Sequence, residues 1–144
     1  MRVTVIRDPA LTPGQVRLVA RARLTALLRR CGAELAVGDR ALAVRCTGDA
    51  ELRDLNSRFA GVDGPTDVLS FAGEGDHLGD IAISVERAMA QSTDAVEELR
   101  LLAVHGLLHC LGHDHAHADE AALMTAETRR LLPGQTIPAL MTHQ

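Results

Sequence analysis

The sequence predicts a single α+β domain in which four short strands form a small sheet packed with helices. Three observations lead to this prediction. The length of 144 residues suits one domain, and an apolar content of 47% is enough to build one core. Runs typical of strands occur four times. They do not alternate strictly with helical segments, which favours α+β over a doubly wound parallel sheet.

The four predicted strands are short and mainly apolar. They cover residues 2–7, 41–46, 68–71 and 80–84. The stretch AGVDGPTD at residues 60–67 predicts a loop between the second and third of them. The stretch GEGDHLG at residues 73–79 predicts a flexible loop before the last strand, because it is rich in glycine and charge.

The first helix is predicted to begin after Thr12, because threonine caps helix N-termini and Pro13 suits the first helical position. We expect this helix to run to about Cys31 and to stop at Gly32. Its apolar stripe comprises Val16, Val19, Ala20, Leu24, Leu27, Leu28 and Cys31. A short second helix, capped by Thr47 or Asp49, is expected to turn its apolar residues to the core, namely Leu52, Leu55 and Phe59.

Two longer helices are predicted in the second half of the chain. The first begins after Ser92 or Thr93, and its core-facing residues are Val96, Leu99, Ala103, Leu107 and Cys110. The second is capped by Asp119 and ends at Pro133, and its apolar residues are Leu123, Met124, Ala126 and Leu131. Residues 135–144 are predicted to form a tail.

The charge and cysteine content limit the function classes. A formal charge of −4 argues against broad non-specific binding of nucleic acid, because that affinity comes from neutralising phosphates, although a local basic cleft is compatible with it. The three cysteines are widely spaced and form no C-x-x-C pair, as in reduced cytosolic proteins. No signal-like segment begins the chain, and no apolar run approaches the roughly 20 residues of a membrane span. We therefore expect a soluble cytoplasmic protein with no membrane partner.

The stretch HGLLHCLGHDH at residues 105–115 has the spacing of metal ligands. His105 and His109 are four residues apart on a predicted helix, so they share a face with Cβ atoms about 6 Å apart. Two imidazoles placed in this way can bind one metal ion at roughly 2.0–2.1 Å. Gly112 suits a left-handed cap that reverses the chain, which brings His115 back as a third ligand.

Three neutral nitrogen ligands with no nearby cysteine favour a catalytic metal site. Structural zinc sites close four ligands around the metal and are rich in Cys, whereas catalytic sites keep one position open. Water at the open position becomes acidic enough for hydrolysis near neutral pH. Zinc is favoured, although iron, nickel and copper also accept imidazole. A surface cluster of histidines at a helix end is less favoured for three histidines at this spacing.

Gly106 stands where zinc peptidases of this spacing have a glutamate as general base. Glycine cannot polarise water, so a peptidase is disfavoured, and the missing side chain suits close packing against another element. Asp114 is a candidate catalytic or orienting residue, since its carboxylate either accepts a hydrogen bond from an imidazole or forms the turn. His113 and His117 are interpreted as exposed or supporting residues, and Met124 as part of the core.

At this point the residues resemble a known family. HGLLHCLGHDH is similar to the H-G-x-L-H-L-x-G-Y-D-H signature of the YbeY-type endoribonucleases, bacterial factors for ribosomal RNA maturation. Three further stretches are similar to family motifs in the family's order: DLN at 54–56, PTDVLSF at 65–71 and LGDIAIS at 78–84. The matched region spans about residues 54–132 of one domain that covers residues 1–144.

The resemblance implies a metal-dependent endoribonuclease that cuts single-stranded RNA, acting in 3′-end maturation of small-subunit rRNA and in ribosome quality control. It places one Zn²⁺ per chain, or another divalent transition metal, on His105, His109 and His115. It also implies that the sheet is mixed and that the histidine-bearing helix is central. The expected partners are single-stranded rRNA and the small ribosomal subunit. Neither DNA nor an oligomer is implied.

The candidate substrate-binding residues lie near the loop before the third strand. Asp67 and Ser70 are in a matched stretch and are expected to border the cleft. The family's Y-R-x-K-D-x-P segment is altered, since Ala60 replaces its arginine and Val62 replaces its lysine. Two positive charges are therefore absent from the presumed cleft. Arg58 is a candidate substitute for them.

Two function classes follow from these features. The first is the endoribonuclease, in which either water or the 2′-OH of the RNA is the nucleophile. The alternative is a zinc-binding ribosome-assembly factor with weak or no catalysis, which the changes at Ala60 and Val62 suggest. A metallopeptidase is less favoured because of Gly106.

Overall fold

The structure is a computed structural model and describes residues 1–61 and 66–142. Over these residues the chain forms four strands, six α-helices and one π-helical turn. The strands are β1 (Arg2–Arg7), β2 (Ala41–Thr47), β3 (Val68–Ala72) and β4 (His77–Ser84). The α-helices are α1 (Pro13–Ala22), α2 (Leu24–Glu34), α3 (Asp49–Leu55), α4 (Val85–Gln91), α5 (Ala95–Cys110) and α6 (Ala118–Leu131). The π-helical turn, Asn56–Ala60, follows α3 directly.

The strands form one mixed sheet in the order β1-β2-β4-β3. The first three of these strands are parallel to one another, and β3 is antiparallel to β4. Alternation along β2 shows which face the helices cover, because Leu42, Val44 and Cys46 are buried while Ala43 and Arg45 are only partly so. The predicted fold, a single small α+β domain with a mixed four-stranded sheet, is confirmed.

The histidine-bearing helix, α5, is central, as predicted. It packs against β3 and β4 and contacts α1, α2, α4 and α6. A helix in such a position is apolar on several sides, and the buried residues of α5 are Leu99, Leu102, Ala103, Val104, Gly106, Leu107, Leu108 and Cys110. In the described part of the chain, no helix combines the length and the hydropathy needed to cross a bilayer.

The single helix predicted after Pro13 is broken into two at Arg23. This residue has a left-handed backbone with φ 51°, and its N–H donates to the Ala20 carbonyl at 3.3 Å. The break rotates the apolar stripe, so that Ala22 and not Ala20 faces the core, followed by Leu24. No glycine or proline marks the break in the sequence, which is why the helical pattern did not reveal it.

Gly32 does not end the second of these helices, contrary to the prediction. It lies inside α2, which continues to Glu34. A Cβ added at Gly32 would lie 2.8 Å from the Cβ of Met1. The missing side chain therefore lets the first residue of the chain pack against the helix.

The start of α3 and the turn after it differ from the prediction. Gly48 is the N-cap, because Thr47 still belongs to β2 and Asp49 is already helical. The π-helical turn Asn56–Ala60 continues from α3 with one more residue per hydrogen-bonded ring than an α-helix. This change of period turns Phe59 away from the core, and the residue is 64% exposed.

The segment between β4 and α5 contains a helix, α4, that was not predicted. Ser84 caps it, since its Oγ accepts a hydrogen bond from the Arg87 N–H at 3.1 Å. The cap of α5 is Asp94, and neither Ser92 nor Thr93, which were the predicted caps, takes this position.

The loop predicted at residues 73–79 is shorter than expected, because β4 begins at His77. Leu78 is 1% exposed. A Cβ added at Gly79 would lie 2.6 Å from the Phe71 carbonyl oxygen. Strand pairing and burial therefore order these residues despite a composition typical of loops.

The final helix, α6, begins after His117, so that Asp119 lies in its first turn and is not the cap. Leu123 and Ala126, which were predicted to face the core, are exposed. The buried residues of the helix are Ala121, Met124, Thr125, Thr128 and Leu131. The two buried threonines donate their hydroxyl protons to carbonyls one turn earlier at 2.8 Å, which satisfies both polar groups inside the core. The interpretation of Met124 as core is confirmed.

Residues 135–142, predicted as part of a tail, pack along α6 and are called the C-terminal strap below. Ile137 is 6% exposed, and its carbonyl accepts a hydrogen bond from the Arg129 guanidinium at 3.0 Å. The Leu140 N–H donates to the Thr125 hydroxyl at 3.0 Å. Buried apolar contact and these hydrogen bonds hold the segment against the domain.

Candidate metal centre

Three histidine side chains meet at the C-terminal end of α5. The Nε2 atoms of His105 and His109 are 3.0 Å apart. The His115 ring centroid lies 5.4 Å from each of the other two ring centroids. One nitrogen from each ring fits into a group whose members are all within 4.8 Å of one another. The structure thus brings the three predicted ligands together.

A sharp chain reversal at Gly112 returns His115 to the end of the helix. Gly112 has φ +97°, a left-handed conformation that glycine adopts without strain. Its N–H donates to the His109 carbonyl at 3.0 Å, and the His113 N–H donates to the Leu108 carbonyl at 3.0 Å. These paired bonds form a Schellman motif. The predicted role of Gly112 as a left-handed cap is confirmed.

Gly106, next to the first ligand, is a point of close approach between α5 and the sheet. A Cβ added at Gly106 would lie 2.7 Å from Cγ2 of Ile81 in β4. The Ser70 hydroxyl in β3 donates to the Gly106 carbonyl at 3.1 Å. The prediction that glycine allows close packing here is confirmed, and the contact leaves no room for the glutamate of a peptidase.

The C-terminal strap orients the third ligand. Nδ1 of His115 lies 3.0 Å from the carbonyl oxygen of Met141. Because a carbonyl only accepts hydrogen bonds, Nδ1 carries the proton, and Nε2 keeps its lone pair for a metal. No sequence signature exists for a backbone acceptor of this kind, so the sequence did not reveal it.

Asp114 contacts the main chain beside the same ligand. Its Oδ1 accepts a hydrogen bond from the His115 backbone N–H at 2.8 Å. This contact matches the interpretation of Asp114 as a turn-forming residue. The side chain also lines the cleft described below.

The histidines are suited to metal binding in both charge and spacing. Burial, together with the neighbouring His109 and His115, lowers the pKa of His105 to about 4, while the charge of Asp67 opposes the shift. The neutral imidazole is the form that binds metal. A tetrahedral ion with bonds of roughly 2.0–2.1 Å sets its ligand nitrogens about 3.3 Å apart, close to the 3.0 Å between His105 and His109. The donor set therefore fits zinc or another divalent ion that accepts imidazole.

The three histidines open into a cleft of about 810 Å³. Its described lining includes the predicted site residues Asp67, Ser70 and Asp114. It also includes Ala60, the position at which the resemblance predicts an arginine. Val62 lies outside the described residues.

Arg58 lies on the π-helical turn but outside the described lining of the cleft. Its guanidinium is 3.3 Å from the Asp54 carboxylate and 5.6 Å from the Phe59 ring centroid. The arginine side chain is 65% exposed, so this ion pair contributes little to stability. Arg58 therefore supplies a positive charge at the surface near the cleft and not inside it.

Asp67 accepts hydrogen bonds from two neighbouring residues and lies near a second carboxylate, Glu98. Its Oδ2 accepts from Gln91 Nε2 at 3.0 Å, and its carbonyl accepts from the Ser84 N–H at 2.9 Å. Burial, together with the charge of Asp67, raises the pKa of Glu98. Glu98 and His105 both line a smaller adjoining cavity of about 140 Å³. Across the described linings of the cleft and this cavity there is no arginine.

Comparison with known proteins agrees with the resemblance. The family model described as Endoribonuclease YbeY matches residues 11–134. A relative named Endoribonuclease YbeY from Chloroflexus aggregans is 40% identical, with 96% of this chain and 97% of that protein covered. One from Gloeobacter violaceus is 46% identical, with 67% of this chain and 57% of that protein covered. The solution structure of TM1509 from Thermotoga maritima is similar with a TM-score of 0.61 and 25% identity, covering 90% of this chain and 85% of that one. The chain therefore belongs to the Endoribonuclease YbeY family.

Proposed function

We propose that this protein is a metal-dependent endoribonuclease that cuts single-stranded RNA, with one Zn²⁺ held by His105, His109 and His115. The observation that carries the proposal is the three-histidine cluster, which opens into a cleft in a chain of an endoribonuclease family. The cellular task implied by the resemblance is 3′-end maturation of small-subunit rRNA together with ribosome quality control. The partner is then the small ribosomal subunit.

The role of the chain itself is to hold three neutral imidazoles in fixed directions. When bound, the metal supplies Lewis-acid chemistry toward a phosphate oxygen. Burial keeps His105 neutral at physiological pH, and the Met141 carbonyl holds the tautomer of His115. Asp114, in the same cleft, is the candidate catalytic residue. The products identify the nucleophile, since attack by the 2′-OH leaves a 2′,3′-cyclic phosphate and attack by water does not.

The proposed RNA contacts are Arg58, Asp67 and Ser70. Arg58 is suited to a phosphate because it is charged and exposed. Asp67 is an acceptor, so it suits a ribose hydroxyl or a base amino group and not a phosphate. Ser70 already donates to the Gly106 carbonyl, so it contributes mainly by holding β3 against α5 beside the ligands.

Removing one ligand tests the proposal. We expect the purified protein to contain about one metal ion per chain and to cut single-stranded RNA but not duplex RNA. We expect His109→Ala to lose both the metal and the cleavage. His117→Ala is the matched control, because this histidine side chain is 77% exposed and outside the cluster. Elemental analysis beside a gel assay measures both properties, and robust cleavage by metal-free His109→Ala would contradict the proposal.

A zinc-binding assembly factor with weak or no catalysis is the second candidate. The observation that favours it is the uncharged Ala60 in a cleft whose described lining contains no arginine. In that case the protein would retain metal and cosediment with the small ribosomal subunit but leave single-stranded RNA intact.

A peptidase remains the least favoured function because of the packing at Gly106, and zinc-dependent cleavage of an unstructured peptide pool would overturn that view.

The proposed location is the cytoplasm. All three cysteines, Cys31, Cys46 and Cys110, are free and buried, as suits a reducing compartment. Burial raises the pKa of Cys46 and Cys110 to about 11, so these thiols are poor nucleophiles. Recovery of the protein in a membrane or periplasmic fraction would contradict this location.

A further inference from the structure

The two aromatic side chains of the protein meet at the border of the cleft. The sequence contains two Phe and no Tyr or Trp. Phe59 and Phe71 lie edge to face, with ring centroids 5.6 Å apart and an interplanar angle of 72°. Their chain neighbours Ala60, Ser70 and Ala72 all line the cleft. Because side chains alternate along a strand, Phe71 faces the other side of β3 from Ser70 and Ala72, so the aromatic pair lies at the rim of the cleft and not in its described lining.

The pair offers an exposed ring next to the Arg58 guanidinium, which also forms an exposed ion pair with Asp54 at 3.3 Å. Phe59 is 64% exposed, whereas Phe71 is half-buried beneath it in β3. The Arg58 guanidinium lies 5.6 Å from the Phe59 ring centroid. An exposed aromatic ring next to a cation is the combination with which proteins bind single-stranded nucleic acid, because bases stack on the ring and the backbone is attracted to the charge.

We propose that Phe59 stacks an unpaired base of the RNA substrate, and that Arg58 contacts a neighbouring phosphate. This inference rests on the proposed function, because it assumes an RNA substrate. Bases within a duplex already stack on one another, whereas the unstacked bases of a single strand are available to an aromatic side chain. Phe59 therefore selects single strands. It also supplies affinity to a cleft whose described lining has no arginine.

A single tryptophan tests the contact. Phe59→Trp introduces the only tryptophan into a chain that has none, so its fluorescence reports stacking of a base directly. Ile6→Trp is the matched control, since Ile6 is 42% exposed on β1, at the opposite edge of the sheet from β3. On stopped-flow mixing of the metal-loaded full chain with a short oligoadenylate, we expect saturable quenching for Phe59→Trp and none for Ile6→Trp. An equal response of the two variants, or no response of either, overturns the inference.

Affinity measurements separate stacking from a structural role. We expect Phe59→Leu and Phe59→Ala to weaken binding of single-stranded oligoadenylate about tenfold, and Phe59→Tyr to bind like the wild type. For an abasic oligomer of the same length, all four proteins should bind equally. A loss that is the same for both oligomers indicates a structural role and overturns the inference. Thermal unfolding of each variant confirms that it is folded.

Cleavage assays on the same samples distinguish the two proposals. If binding depends on the aromatic ring at position 59 while wild-type protein leaves the RNA intact, the stacking inference stands and the proposed endoribonuclease activity fails. If wild-type protein cuts the RNA and none of the Phe59 variants alters binding, the stacking inference fails and the proposed activity stands. Denaturing gels of the RNA recovered after each binding measurement show whether the RNA was still intact while its binding was measured.

Discussion

The two walls of the cleft differ in what determines their chemistry. One wall is the end of α5 and the turn after it, which carry His105, His109 and His115. Helix geometry and the Gly112 reversal place these residues, so the main chain fixes their spacing. The other wall is formed by Ala60 and by residues around β3. Its chemistry depends on individual side chains, and the charge that the resemblance predicts at position 60 is absent.

The supporting contacts of the two walls differ in the same way. The histidine wall is anchored by close packing at Gly106, by the backbone hydrogen bonds around Gly112, and by the hydrogen bond from His115 Nδ1 to the Met141 carbonyl. The opposite wall lies on β3, at the edge of the sheet, beside exposed Phe59. Changes to the first wall should therefore affect stability and metal binding, whereas changes at exposed positions of the second wall, such as Ala60, should affect mainly RNA affinity.

Acid should produce the largest effect on the histidine wall of the metal-free protein. The pKa of His105 is about 4 in the folded protein against about 6.5 for a histidine in an unfolded chain, so between these values the unfolded chain binds more protons. Stability is therefore complete above pH 6.5 and falls as the pH drops toward 4, by up to about 3 kcal/mol. Protons also compete with the metal, so zinc retention should decline below about pH 6.5. Urea unfolding at several pH values measures the first effect.

Two histidine variants test whether His105 causes this pH dependence of the unfolding free energy. We expect His105→Ala to flatten the dependence of the unfolding free energy on pH between 4 and 6.5. His117→Ala removes an exposed histidine and should leave the dependence unchanged. Identical pH profiles for wild-type protein and His105→Ala would show that another group is responsible.

Gly106→Ala should lower the unfolding free energy by about 2 kcal/mol, because overpacking of a core costs roughly 1–3 kcal/mol. Its new Cβ would lie 2.7 Å from Ile81 Cγ2. Gly14→Ala in α1 is the matched control, since its nearest contact is at 3.7 Å, and alanine there should be neutral or slightly stabilising. Urea midpoints compare the two, and equal midpoints would mean that α5 is not held as closely as the structure indicates.

Shortening the C-terminal strap should weaken zinc binding on the order of tenfold, the usual effect of removing a partner that orients a ligand. A chain ending at Pro138 keeps buried Ile137 but lacks the Met141 carbonyl that accepts from His115. A chain ending at Thr142 keeps this acceptor and serves as the control. Competition with a chromogenic chelator measures the affinities. If both truncated chains bind zinc equally well, the strap does not orient His115.

Ala60→Arg should produce the smallest effect and should act on the opposite wall. A positive charge in the cleft is expected to raise the affinity for single-stranded RNA a few-fold and to steepen its logarithmic salt dependence by about 0.7. Ala20→Arg on α1 makes the same change at an exposed position outside the described cleft lining. Salt titrations of both variants measure the effect, and equal slopes would mean that position 60 does not face the RNA.

Local geometry explains which features could be predicted from the sequence. The strands and the ligand spacing follow from short-range periodicity, and the left-handed turn follows from the presence of glycine at position 112. The break at Arg23, the helix α4 and the strap arise from contacts between distant parts of the chain, which no local pattern records. Phe59 was assigned to the core because its spacing from Leu52 and Leu55 is helical, but the π-helical turn changes that spacing.

The packing of Gly106 against Ile81 also limits how this protein can change during evolution. Two of the four glycine codons differ from a glutamate codon by one nucleotide, so glycine and a peptidase-like glutamate at this position can be one mutation apart. That mutation would force the central helix off the sheet and disturb the core before it could provide any new activity. Proteins with the two chemistries can therefore share a ligand spacing and still be separated by a barrier that requires earlier changes elsewhere in the fold.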